Sequence, residues 1–121
     1  MIDYAEKSLA DLMTEFVDSC LSQDDTFITG DAKKYNKLYS VIEGVSKELA
    51  RRSGDARRSL LTLFRHKNPH VRLQAALFAY SVAPADARTC LEAIASARLP
   101  DQSLAARMAL SRLKEDPHCL D

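Results

Sequence analysis

Glycine occurs three times and proline four in 121 residues, too seldom for a protein built of β-turns. Tryptophan is absent. No run of apolar residues is long enough to span a bilayer. The longest stretch without a charge, Leu73 to Ala85, is interrupted by Gln74 and Pro84 and covers 13 residues, against the roughly 20 a spanning helix needs. The N-terminus carries Asp3 and Glu6 where a secretory leader would carry bases followed by an apolar core. A cytoplasmic protein with no membrane partner is therefore expected. Cysteines number three, an odd count at wide spacings with no C-x-x-C, which excludes a disulfide framework and points to reduced thiols. Net charge is also missing: 17 bases balance 17 acids, which excludes bulk electrostatic attachment to nucleic acid or membrane.

What remains is an ordinary globular composition, 46% hydrophobic and 28% charged, at a length that makes one domain, 1–121. Six segments carry the helical period. The first holds Leu9, Leu12, Phe16, Cys20 and Leu21, and the second Tyr35, Leu38, Ile42, Val45 and Leu49 behind a cap at Asp31, with Gly54 as its stop. The third is short, Leu60 to Phe64, after a cap at Asp55. The fourth opens on Asn68-Pro69 and is apolar on nearly every side through Tyr80, so it is expected to be the central helix, with Phe78 in the core. The fifth begins at Pro84, and the sixth begins near Pro100 and ends before Pro117. Short connections make successive helices antiparallel neighbours. A shift of 33 lays Val71, Ala75, Ala76 and Tyr80 onto Leu104, Met108, Ala109 and Leu113, the self-similarity expected of stacked helix pairs.

Asn68-Pro69-His70-Val71-Arg72-Leu73-Gln74-Ala75-Ala76 resembles the second helix of a HEAT repeat, with a polar cap, Val-Arg and paired alanines. Together with Tyr35-Asn36-Lys37-Leu38, the Leu60–Phe64 run and the Ala-rich helix after Pro84, nearly the whole chain resembles a small bacterial family catalogued as domain of unknown function two thousand and nineteen. The resemblance implies an all-α fold of about six antiparallel helices, stacked as HEAT-like pairs in a short right-handed α-solenoid. It supplies no established activity, although some relatives are suspected immunity proteins for bacterial toxins. Ala105 stands where the repeat pattern would place an arginine, so an arginine ladder is not expected.

No catalytic motif is present: no G-x-S-x-G, P-loop or H-E-x-x-H. No catalytic residue, cofactor site or metal site is assigned, and the protein is not expected to be an enzyme. His66 and His70 have ligand spacing, but Asn68-Pro69 lies between them and keeps the rings off a common helix face.

Charge is distributed unevenly. Residues 1–31 have a net charge of minus seven and residues 32–74 a net charge of plus eight. Between Asp55 and Asp86 there is no acid, and the bases are Arg57, Arg58, Arg65, Lys67 and Arg72. Arg57 and Arg58 sit at a helix start, against its dipole. Arg72, by analogy with HEAT repeats, is expected more often to bond internally than to meet a partner. The five bases form the candidate partner-binding stripe. The expected function is a non-enzymatic protein-interaction module, monomeric or weakly self-associating, that receives an acidic protein. The alternative is a HEAT-like nucleic-acid binder using the same stripe, with the neutral total charge against it.

Overall fold

The computed structural model describes residues 3–121, which form five α-helices, α1 to α5, and two 3₁₀ segments; no strand occurs among the described residues. The chain divides into two compact units, one ending at Arg57 and the other running Arg58–Asp121. Among the described residues no helix is long and apolar enough to cross a membrane.

The first unit is a helical hairpin with a strap at its N-terminus. Helix α1 (Leu9–Thr29) starts where Ser8 Oγ accepts from the Asp11 amide, 3.1 Å. It stops at Gly30, whose φ of 71° is the left-handed conformation that glycine adopts without a Cβ penalty. Asp31 then caps α2 (Ala32–Arg51), accepting from the Lys34 amide at 2.9 Å. Leu12, Phe16 and Cys20, four residues apart on α1, pack with Ile42, Val45 and Leu49 of α2; all six are fully buried. The strap is the 3₁₀ turn Tyr4–Glu6. Its Tyr4 ring lies on Gly44 of α2 so closely that a β-carbon there would stand 2.7 Å from Tyr4 Cε2. Arg52 fastens it, donating to the carbonyls of Tyr4 (3.3 Å) and Lys7 (2.5 Å) while its Nε donates to buried Glu48 at 2.9 Å.

The third predicted segment is a 3₁₀ helix, Ala56–Arg65, in place of an α-helix. It follows two residues of positive φ, Gly54 at 75° and Asp55 at 53°. Three residues per turn places i and i+3 in one column. Leu60 and Leu63 share the inward column and Leu60 is fully buried, whereas Thr62 and Arg65 share an exposed one.

In the second unit α3 (Pro69–Ala79) has its first amides capped by Asn68 Oδ1, at 2.8 Å from His70 N and 3.2 Å from Val71 N. It buries seven of its eleven residues, as expected for the most enclosed helix, but it ends at Ala79 and Phe78 is only half-buried. Helix α4 (Pro84–Ser96) packs against both α3 and α5 (Gln102–Glu115). Leu73, Ala76, Tyr80, Leu91, Ile94, Ala106 and Leu113 form the core. The internal correspondence holds for Ala76 with Ala109 and Tyr80 with Leu113. It fails for Val71 with Leu104 and Ala75 with Met108, because Leu104 and Met108 are 52% and 57% exposed.

Buried polar groups are tied to this packing. Ser103 Oγ donates to Ile94 O and accepts from Leu99 N, both at 2.7 Å, fixing the α4–α5 turn. The fully buried His70 ring has the Gln74 amide 3.4 Å from one nitrogen and the Gln102 amide 3.3 Å from the other. Both amides present Nε2 to the ring, and a neutral imidazole accepts at one nitrogen alone. The tail after Pro117, far from loose, packs Cys119 and Leu120 against the core.

Candidate functional site

The five predicted bases fall in both units. Arg57 belongs to the first unit. Its guanidinium forks onto Asp55, Nε to Oδ1 at 2.8 Å and Nη2 to Oδ2 at 2.6 Å, and Asp55 Oδ1 also accepts the Arg57 amide at 3.2 Å. Arg57 sits at the start of the 3₁₀ segment with a carboxylate against it. The left-handed Asp55 turns its carboxylate onto the next turn and neutralises Arg57 there.

Arg58, Arg65, Lys67 and Arg72 lie in the second unit. Arg72 points inward, donating from Nη1 to the His66 carbonyl at 3.0 Å and so clamping the end of the 3₁₀ segment to the first turn of α3. Arg58, Arg65 and Lys67 are exposed, and among the described residues none forms an ion pair. In 3₁₀ geometry residues seven apart are turned about 120° from each other, so Arg58 and Arg65 project from different columns. Arg58 heads the column of Leu61 and Phe64, and Phe64 packs on the core. Lys67 immediately precedes the Asn68 cap, and the first turn of α3 contains no acid. A cation there works against the helix dipole by about 0.3–1 kcal/mol.

The histidines occupy separate environments. His66 lies before α3 and its Nδ1 accepts the Asn68 amide at 3.0 Å, whereas His70 is enclosed within α3. All three thiols are free. Burial pushes the Cys20 thiol up to about 12 and also raises Cys90, where Arg72 partly offsets it.

A family model described as Domain of unknown function (DUF2019) matches residues 10–114. The chain belongs to this family. The match runs across both units and includes all five bases. Among solved structures, the chain is similar to the crystal structure of the protein RPA1889 from Rhodopseudomonas palustris CGA009, with 36% identity over 96% of each chain and a TM-score of 0.92. No curated protein matches the chain.

One feature of the site was outside sequence reasoning. The pairing of Arg57 with Asp55 depends on a left-handed aspartate, for which Gly54-Asp55 was the only signal.

Proposed function

We propose that this family member is a non-enzymatic, HEAT-like protein-interaction module, of the immunity or antitoxin kind, working in the cytoplasm. Its exposed Arg58, Arg65 and Lys67 receive an acidic protein. The observation that carries this reading is the acid-free stretch between Asp55 and Asp86, in which these three cations are exposed. Arg51, Arg52 and Arg57 each have a carboxylate within 4.0 Å, whereas Arg58 and Arg65 have none among the described residues, and neither has Lys67. Partly exposed ion pairs at the rim of an interface contribute about 0.2–1 kcal/mol each. Three such pairs would supply up to about 3 kcal/mol, on the order of a hundredfold in affinity, chiefly through faster association.

The test is affinity capture from the native cell with the wild-type protein and with the Arg58→Glu/Arg65→Glu/Lys67→Glu variant, after checking by circular dichroism that both fold. An acidic protein retained by the first and lost by the second supports the reading. A partner whose association rate ignores the reversal overturns it. So does DNA binding whose steep salt dependence corresponds to several phosphate contacts.

A further inference from the structure

Helix α5 packs on the core through Ala106 and Leu113 and turns its opposite side outward. Leu104 and Met108, one turn apart, dominate that side, 52% and 57% exposed. Their counterparts in the internal correspondence, Val71 and Ala75 of α3, are fully buried. A helix left uncovered in a stacked array ordinarily shows water a polar face, and this one does not. Arg107 beside them supplies no cover, because it is drawn back onto the Ala95 carbonyl at 3.2 Å. Asp101 has αR backbone and continues the spiral of α5 by one residue. At about 100° per residue, Asp101 and Arg112 lie about 20° apart around the helix and form one flank of the apolar pair. Both are exposed, and neither forms an ion pair among the described residues.

We propose that two copies of this chain pair antiparallel through this face of α5, about a twofold axis midway between Leu104 and Met108. Leu104 of each copy then meets Met108 of the partner subunit, and the four side chains close an apolar centre. A twofold axis across an antiparallel helix pair keeps like flanks together. The same axis therefore brings Asp101 opposite Arg112 of the partner subunit, within one residue of register, and does so twice. An acid at one end of a flank and a base at the other is the self-complementary arrangement an isologous interface requires. It also selects the register. Sliding the helices one turn, so that Met108 meets its own copy, would set Asp101 against Glu115 of the partner subunit. Sliding them the other way, so that Leu104 meets its own copy, would leave Met108 opposite Pro100, outside the helix. The contact is one helix wide, at the low end of interface sizes, so the dimer is weak, on the order of 100 μM. It uses none of the cations proposed to receive an acidic protein and stands or falls separately from that reading.

The test is sedimentation equilibrium of the full chain from about 10 μM to about 1 mM, which brackets a dimer of that strength. Met108→Lys should weaken association about tenfold by placing a charge in the apolar centre. Asp101→Arg and Arg112→Asp should each weaken it about fivefold by setting like charges together. An equimolar mixture of these two variants should regain wild-type strength, because the two reversals complement each other at both ends of a mixed pair. Glu92→Arg, an exposed charge reversal on α4, should change association less than about twofold. All these positions are exposed, so the folded state should survive, which melting curves would verify. A monomer at the highest concentration would overturn the proposal and leave the face to a different protein. Association insensitive to Met108→Lys, or a mixture no stronger than either variant alone, would also overturn it.

Discussion

Replacing Gly44 with alanine should unfasten the N-terminal strap while leaving the hairpin beneath it almost unchanged. The new β-carbon would stand 2.7 Å from Tyr4 Cε2, 3.2 Å from Cζ and 3.3 Å from the hydroxyl. Carbon atoms pack best at about 3.5–4.0 Å, so the ring must retreat by roughly 1 Å. Alanine in place of an interior helical glycine gains about 0.5–1 kcal/mol for α2. Tyr4 is half-buried, and a fully buried large apolar side chain is worth about 1.5–3 kcal/mol, so displacing the ring costs about 1 kcal/mol. The two effects nearly cancel in global stability, and the melting midpoint should move little. The strap alone loses about 1 kcal/mol, which raises its open population roughly fivefold. Hydrogen exchange at the Lys7 amide, bonded to Tyr4 O, should accelerate by that factor while the Leu49 amide in α2 stays protected. The phenol gives a second readout. Burial, then Glu15, raise the Tyr4 pKa above its ordinary 10.0, against a smaller opposing effect of Lys7. The docked ring therefore holds its proton to higher pH than an undocked one. Its contribution to docking is complete below pH 10.0 and is lost as pH climbs through the raised value. In the variant the titration should move back toward the ordinary value. Unchanged Lys7 exchange together with an unchanged phenol titration would refute the reasoning.

Phe16→Ala should destabilise the protein by about 3–5 kcal/mol, the usual result for a fully enclosed phenylalanine, and half-buried Phe78→Ala by about half that; denaturant midpoints at constant slope check both. Arg57→Glu should cost about 1 kcal/mol by breaking the fork onto Asp55 and setting two carboxylates together, whereas Arg58→Glu should be neutral or slightly stabilising; thermal melts distinguish them. A maleimide reagent should label Cys20 most slowly of the three thiols, because the group is buried and stays protonated up to about pH 12, and mass spectrometry of quenched samples gives the order.

Much of the fold was legible because local chemistry and tertiary packing agree. Asp31 and Asn68 are polar caps at the head of apolar periodic runs, and both caps form as the sequence predicts. The third segment misled because Leu60, Leu61, Leu63 and Phe64 repeat at three residues as well as at helical spacing, so the pattern does not distinguish α from 3₁₀. Phe78 misled because α3 is apolar all round, and periodicity gives no ranking of its sides. Surface chemistry was harder still. Asp55 neutralises Arg57 only through a left-handed backbone, whereas the inward bond of Arg72 to a carbonyl six residues earlier agrees with the internal role expected of it. The N-terminal strap is held by Arg52, 45 residues beyond the Lys7 carbonyl it grips. No local pattern encodes that contact.

The interaction role proposed for Arg58, Arg65 and Lys67 is tested most directly by placing a photo-crosslinking residue at the exposed Thr62, in the same 3₁₀ column as Arg65, and irradiating native cells. The same residue at exposed Glu92 serves as the control. The account predicts an adduct with an acidic protein from Thr62, absent from Glu92 and lost when Arg58 and Lys67 are reversed to glutamate. No adduct at Thr62, or one that nuclease removes, would contradict it.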